Sequence, residues 1–226
     1  MSLRKPLIAA VAALLLTAGA AAPAPSGAEI PFAAQAPGDT LAVLYSGDGG
    51  WRALDQAVAK RLAQNGVPTV GVDSLNYFHI RRAPQAAAAD LAALLRQYEA
   101  QWGRSKVVLI GYSFGADALP AIIPDLPADL RAHISRLVLI GTGPTGDLQF
   151  HPVSWLDIAA GDAFPVAPAI AALKDLKITC VYGDQEKHDI CPALPDAQVA
   201  KIRLPGDHHF GKDYAALGAA VLRASR

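Results

Sequence analysis

The sequence contains few cysteines, little charge and no excess of charge of either sign. Two Cys among 226 residues cannot build a disulfide-rich scaffold, and no Cys-x-x-Cys pair indicates a zinc site. The 20 Lys and Arg balance 20 Asp and Glu, so the chain lacks the positive field that nucleic-acid binding requires. No long block of like charges occurs and 52% of the residues are hydrophobic, which excludes a disordered chain and favours one globular domain.

The first twenty residues have the pattern of a secretory signal peptide. Two basic residues precede an apolar run at 7–16, and small residues follow up to Ala20, the predicted cleavage point. The run is shorter than the ~20 apolar residues of a membrane-spanning helix, although an uncleaved anchor is the alternative. The interval 21–39 is rich in Ala and Pro and is predicted to be an extended tether before a folded domain at 40–226.

Short, continuous apolar runs alternate with helical patterns through the rest of the chain. Such runs suit strands buried on both faces of a parallel sheet, and the alternation indicates right-handed crossovers. The predicted fold is α/β, with a mostly parallel sheet of about six strands, helices on both faces and a minimal lid. The predicted strands are 41–45, 69–72, 106–110, 137–140, 178–182 and 197–204, and the predicted helices are 54–64, 85–102, 116–123 and 214–223. The proline-rich interval 141–168 is predicted to be a surface connection over the carboxyl ends of the strands.

A Gly-x-Ser-x-Gly motif stands where one predicted strand meets a helix. The residues GYSFG at 111–115 follow strand 106–110, which is the strand, turn and helix context of a nucleophile elbow. Glycines on both sides allow the strand and helix to approach closely, and ligands bind at this end of such sheets. The motif therefore predicts Ser113 as a nucleophile, an ordinary serine in a tight turn being the alternative.

A serine hydroxyl becomes nucleophilic when a base takes its proton and an acid orients that base. Two adjacent histidines follow the last predicted strand, and the Gly-x-His spacing favours His208 as the base over His209. Three carboxylates follow the preceding strand, of which Glu186 is preferred as the acid over Asp184 and Asp189. The resulting order of serine, acid and histidine is that of the α/β-hydrolase fold.

Two backbone amides are expected to stabilise the negative charge that develops on a substrate carbonyl. One belongs to Phe114, directly after the nucleophile, and the other to Gly47 in the glycine-rich loop after the first predicted strand. No Gly-Lys-Ser or Gly-Lys-Thr follows these glycines, which argues against a nucleotide-binding loop. Because side chains and amides are sufficient for this chemistry, no cofactor or metal is expected.

The two cysteines flank the loop that carries the candidate acid. Cys180 lies on the strand before this loop and Cys191 lies just beyond it. Together with an export signal, the even cysteine count predicts a disulfide, with two buried free thiols as the alternative.

Several motifs together resemble the bacterial VirJ/AcvB virulence-protein family of periplasmic α/β-hydrolases. They are SGDGGW at 46–51, GVDSL at 71–75, YF at 77–78, ADL at 89–91, GYSFGAD at 111–117 with LP at 119–120, and GDHHF at 206–210. The resemblance covers nearly the whole predicted domain. It implies hydrolysis of aminoacylated phosphatidylglycerol, notably lysyl-phosphatidylglycerol, at the outer face of the inner membrane, and a periplasmic location.

Under this resemblance, carboxylates close to the motifs are expected to pair with the lysyl ammonium groups. The predicted substrate-binding residues are Asp48, Asp117 and Tyr112, with Asp73 as a further carboxylate. Structural ion pairs or turn caps are the alternative roles of the carboxylates. Arg81 and Arg82 are candidates for contact with the lipid phosphate, a solvated loop pair being the alternative.

Two other functions are compatible with the sequence. The first is a general carboxylesterase or thioesterase, which would use the same serine chemistry. The second is a catalytically silent interaction protein of a secretion system, whose partners would be proteins of that apparatus. Neither function involves nucleic acid.

Overall fold

A seven-stranded sheet forms the centre of the molecule in the computed structural model, which describes residues 28–151 and 163–226. The strands are β1 (Glu29–Phe32), β2 (Thr40–Tyr45), β3 (Thr69–Val72), β4 (Lys106–Tyr112), β5 (Ile134–Ile140), β6 (Thr145–Gly146), β7 (Phe164–Pro165), β8 (Ile178–Gly183) and β9 (Val199–Leu204). The helices are α1 (Ala53–Gln64), α2 (Ser74–Tyr77), α3 (Pro84–Trp102), α4 (Phe114–Ile122), α5 (Ala128–Arg131), α6 (Val166–Ala172) and α7 (Tyr214–Ala224).

The sheet has the order β1-β3-β2-β4-β5-β8-β9. Its last six strands run parallel to one another, whereas β1 is antiparallel to β3. Strands β6 and β7 pair antiparallel in a separate two-stranded sheet. The prediction of a mostly parallel α/β sheet with about six strands is therefore confirmed, with one additional edge strand.

Continuous apolar runs form the inner strands because both faces of the sheet are covered. Successive side chains of β2 point to opposite layers, so Leu41 and Val43 pack with α3 and α4, while Ala42 and Leu44 pack with α1 and α7. The central strands β4 and β5 alternate in the same way. This double burial explains why the sequence of these strands shows no polar alternation.

The edge strand β1 lies inside the interval predicted to be a tether, and that prediction is wrong for residues 29–32. These residues pair with β3, from Glu29 opposite Val72 to Phe32 opposite Thr69. Pro31 is compatible with this position, since an edge strand forms hydrogen bonds on one side only. Residues 21–27 and the predicted signal peptide at 1–20 lie outside the described residues.

The interval 141–168 contains more regular structure than the predicted surface connection. It supplies the β6–β7 pair and the first turn of α6, which begins at Val166. Residues 152–162, the middle of the connection and of any lid there, lie outside the described residues. Among the described residues, no helix is long and apolar enough to cross a membrane.

The predicted disulfide is confirmed between Cys180 in β8 and Cys191 in a single helical turn after it. The two Cα atoms are 5.8 Å apart and both residues are fully buried. Asp189 lies close to both sulfur atoms, but sulfurs bonded to each other do not offer thiolate ligands for a metal.

Candidate active site

Ser113 occupies the sharp turn between β4 and α4. Its backbone φ of 52° lies in the left-handed region, and its amide donates to the Ile140 carbonyl of β5 at 2.8 Å. A Cβ atom on Gly111 would lie 2.4 Å from the Gly115 carbonyl oxygen, and one on Gly115 would lie 2.5 Å from the Tyr45 carbonyl oxygen. The turn therefore requires both glycines, because strand, helix and the neighbouring β2 approach too closely for any side chain.

The structure brings Ser113, His208 and Glu186 together at the carboxyl end of the sheet. His208 Nε2 lies 2.9 Å from Ser113 Oγ, and His208 Nδ1 lies 3.3 Å from Glu186 Oε2. The second oxygen of Glu186 accepts a hydrogen bond from the His188 amide at 3.1 Å. With Nδ1 donating to the carboxylate, Nε2 is the ring nitrogen that accepts the serine proton.

The surroundings of His208 favour its neutral form. Burial lowers the pKa of His208 below the usual histidine value, and the charge of Glu186 opposes this shift only in part. Near neutral pH the imidazole is therefore able to accept a proton. Gly141, with a φ of 63°, makes room for the ring, since a Cβ there would lie 2.9 Å from His208 Cε1.

His209 points to a different partner. Its Nδ1 lies 2.9 Å from the Tyr112 hydroxyl, which also donates to the His208 carbonyl oxygen at 3.3 Å. The predicted preference for His208 agrees with this geometry. Tyr112, which was predicted to contact substrate, is only 7% exposed, and its ring packs 5.4 Å from the His208 ring, where it supports the histidine loop.

The other two candidate acids have structural partners. Asp184 accepts a hydrogen bond from the Gly206 amide at 2.9 Å and pairs with Arg203 at 3.3 Å, and so connects β8 to the histidine loop. Asp189 Oδ1 accepts from the Cys191 amide at 2.7 Å. Of the three carboxylates, Glu186 is the one that meets His208.

The two predicted oxyanion donors lie beside Ser113. Phe114 is the first residue of α4, so its amide is at the positive end of the helix dipole. Gly47 follows β2, and a Cβ on it would lie 3.3 Å from Ser113 Cβ. In the described part of the chain, neither amide donates to a protein acceptor. Both are therefore available to a substrate oxygen.

A cavity of about 220 Å³ opens beside the three side chains. Asp117, which was predicted to contact substrate, lines this cavity. Thr142, His188 and Asp189 also line it, and none of these three was predicted to do so. Burial raises the pKa of Asp117 well above its usual range. The only sequence signal for the missed residues was their position directly after β5 and β8, where ligands bind in parallel sheets.

The remaining residues predicted for substrate binding are placed as follows. Asp48 lies in the loop after β2, and its charge is among those that raise the pKa of Asp117. Asp73 accepts hydrogen bonds from the amide and side chain of Asn76 and so caps α2. The two arginines have structural partners: Arg81 lies 3.5 Å from Asp147, and Arg82 lies 3.6 Å from Asp90 and stacks over the Tyr77 ring.

Three solved structures show how widely this fold occurs. Est1E from Butyrivibrio proteoclasticus has a TM-score of 0.58 and 15% identity over 86% of this chain and 91% of its own. XC6422 from Xanthomonas campestris, described as an α/β serine hydrolase without lid, has a TM-score of 0.56 and 16% identity over 87% of this chain and 86% of its own. The thioesterase domain from the curacin biosynthetic pathway has a TM-score of 0.55 and 17% identity over 86% of this chain and 94% of its own. At such identities the similarity shows a shared fold.

No curated protein matches the sequence. The sequence pattern of one protein family matches residues 39–226. This match includes the nucleophile turn, the loop of Glu186 and the histidine loop. The chain belongs to the family of the bacterial virulence protein VirJ.

Proposed function

We propose that this protein is a periplasmic serine hydrolase that cleaves an ester bond, specifically the aminoacyl ester of lysyl-phosphatidylglycerol. The continuous chain of contacts from Ser113 through His208 to Glu186 carries the proposal. Hydrolysis as the reaction rests on this geometry. The lipid substrate rests on the resemblance to the VirJ/AcvB family.

In the first step Ser113 Oγ attacks the carbonyl carbon of the ester while His208 Nε2 accepts the hydroxyl proton. Glu186 holds the imidazolium that forms, and the amides of Gly47 and Phe114 donate to the oxyanion. The tetrahedral intermediate then collapses. Its bond to the alcohol oxygen of phosphatidylglycerol breaks, His208 returns the proton to that oxygen, and lysine remains esterified to Ser113.

The second step reverses these roles with water as the nucleophile. His208 takes a proton from a water molecule, whose oxygen attacks the acyl carbon. When the second tetrahedral intermediate collapses, the bond to Ser113 Oγ breaks, the serine recovers its proton from His208, and free lysine leaves. The products are one lysine and one phosphatidylglycerol per water consumed.

The disulfide supports a periplasmic location, because such bonds persist in oxidising compartments outside the cytosol. The predicted signal peptide supports the same location. A periplasmic protein would meet its lipid substrate at the outer face of the inner membrane.

A fluorophosphonate probe tests the nucleophile. The probe is expected to label the wild type and a Ser105→Ala control, but not Ser113→Ala. Ser105 is exposed and precedes β4, at the end of the strand opposite the nucleophile turn. Absence of label on folded wild-type protein would contradict the proposal and favour the interaction-protein function.

The substrate is tested by incubation with vesicles containing lysyl-phosphatidylglycerol and, separately, with short-chain oxygen esters and thioesters. Release of lysine from the vesicles with a strong preference over the simple esters is the expected result. Rapid hydrolysis of simple esters without lysine release would favour a general carboxylesterase or thioesterase.

A further inference from the structure

We propose that Asp117, Thr142 and Asp189 form a subsite for a protonated amine, so that the enzyme selects esters carrying an ammonium group on the carbon next to the carbonyl. This inference rests on the proposed function, because it assumes that Ser113 attacks an ester. It adds to that function a specific recognition of the α-ammonium group of the acyl part.

The cavity beside Ser113 has the charge expected of a cation site. Asp117, Glu186 and Asp189 line it together with His188 and His208, and none of the described residues that line it is Lys or Arg. Such walls repel a free carboxylate or a phosphate and attract an ammonium group. The acyl portion of a substrate is the part that can place such a group here.

Thr142 provides an observation independent of the acidic side chains. It is fully buried, it lines the cavity, and its hydroxyl has no hydrogen-bond partner among the described residues. Buried polar atoms are nearly always hydrogen-bonded, so the Thr142 hydroxyl indicates a hydrogen-bond partner that is supplied from outside the described residues.

The three residues are held in place from different elements. Asp117 lies on α4, and its Oδ1 accepts from the Gly143 amide at 2.8 Å. The Thr142 carbonyl accepts from the Ile190 amide at 2.9 Å, and Asp189 binds the Cys191 amide beside the disulfide. The subsite is therefore preformed, and a ligand need not order it.

The position of Asp117 close to the nucleophile in the chain favours the α-ammonium group over a more remote one. An α-nitrogen is separated from the carbonyl carbon by only two bonds. Asp117 lies in the first turn of α4, which begins directly after Ser113, and both residues line the same cavity. A carbonyl carbon held at Ser113 therefore brings its own α-nitrogen toward Asp117.

Both carboxyl groups of the subsite have raised pKa values. Burial raises the pKa of Asp189 to about 6, and burial also raises that of Asp117. The charges of Asp189 and Asp48 add to the upward pKa shift of Asp117, and the charge of Glu186 adds to that of Asp189. An ammonium group between them would favour the ionised forms.

The test compares two esters that differ only in the amine, alanine benzyl ester and propionic acid benzyl ester. At pH 7 an α-amine with a pKa of about 7.7–8.0 is mostly protonated. Wild-type enzyme is expected to show a kcat/KM ratio of at least about tenfold in favour of the alanine ester, the range of one charge-assisted hydrogen bond. Release of benzyl alcohol is measured for both.

The variants Asp117→Asn and Asp189→Asn are expected to lower this ratio about tenfold, mainly through KM of the alanine ester. Asp125→Asn, in an exposed turn, serves as the matched control and should keep the wild-type ratio. If circular dichroism shows that neither Asn variant folds, the nearly isosteric Thr142→Val variant replaces them and is expected to lower the kcat/KM ratio of the two esters.

Two outcomes would overturn the subsite and leave the proposed function intact: a wild-type ratio near one, or an unchanged ratio in every folded subsite variant. Failure to hydrolyse either ester, or lysyl-phosphatidylglycerol, would instead contradict the proposed function itself. The two failures are therefore distinguishable.

Discussion

Separate substitution of the two adjacent histidines tests the site geometry most directly. His208 Nε2 lies 2.9 Å from Ser113 Oγ, whereas His209 binds the hydroxyl of Tyr112. We expect His208→Ala to abolish most of the activity and His209→Ala to retain most of it. Each change removes one imidazole from the same loop, so the two variants are controls for each other.

The expected magnitudes follow from these contacts. Loss of a general base costs ~10²–10⁴-fold in rate, and loss of the base of a serine triad up to ~10⁶-fold, so His208→Ala should lower kcat by at least ~10³-fold. His209→Ala removes one hydrogen bond worth about 1 kcal/mol. The Tyr112 hydroxyl keeps its bond to the His208 carbonyl oxygen, so the loss should stay below about tenfold.

A chromogenic short-chain ester and fluorophosphonate labelling give the two readouts. The labelling rate should fall with kcat for His208→Ala, because both reactions require the same activated hydroxyl. Circular dichroism checks that both variants fold. A larger loss for His209→Ala than for His208→Ala would refute the assignment of the base.

Two further predictions concern pH and the disulfide. Since burial lowers the pKa of His208 and only the neutral ring accepts a proton, kcat/KM should fall as pH decreases, with a midpoint below the usual histidine value of about 6.5. A midpoint above about 6.5 would show instead that the charge of Glu186 outweighs burial. Replacement of both Cys180 and Cys191 by Ala opens a short loop with a sequence separation of 11 and should lower the free energy of unfolding by about 3 kcal/mol in urea titrations. An unchanged urea midpoint would show that the bond contributes little.

The sequence predicts the inner part of the fold well because double burial leaves a simple pattern. Each of the six parallel strands coincides with an apolar run, and the four predicted helices agree with α1, α3, α4 and α7 within a few residues. Strand β1 was missed because it has only four residues, one of them a proline, and pairs with a neighbour along one edge only. No periodic signal therefore distinguishes it from a tether. Helix α6 was missed for its short length and its internal Pro168.

The chemistry of the site was predictable where it depends on chain order, and less so where it depends on orientation. Ser113 and His208 are fixed by a turn motif and a loop after the last strand. Tyr112 stands next to the nucleophile in sequence, yet strand geometry turns its side chain to the opposite face of the sheet, where it contacts the histidine loop. Adjacency in sequence therefore does not place a side chain in the cavity.

The loop after β8 shows the limit of spacing most clearly. Its three carboxylates lie within six residues, and the structure gives each a different partner: Asp184 the Gly206 amide, Glu186 the His208 ring and Asp189 the Cys191 amide. The disulfide thus fixes Asp189 directly and Glu186 only through the same loop. Loss of the disulfide should therefore impair recognition of an ammonium group more than the chemistry at Ser113, which the ratio for the two benzyl esters in the Cys variant would measure.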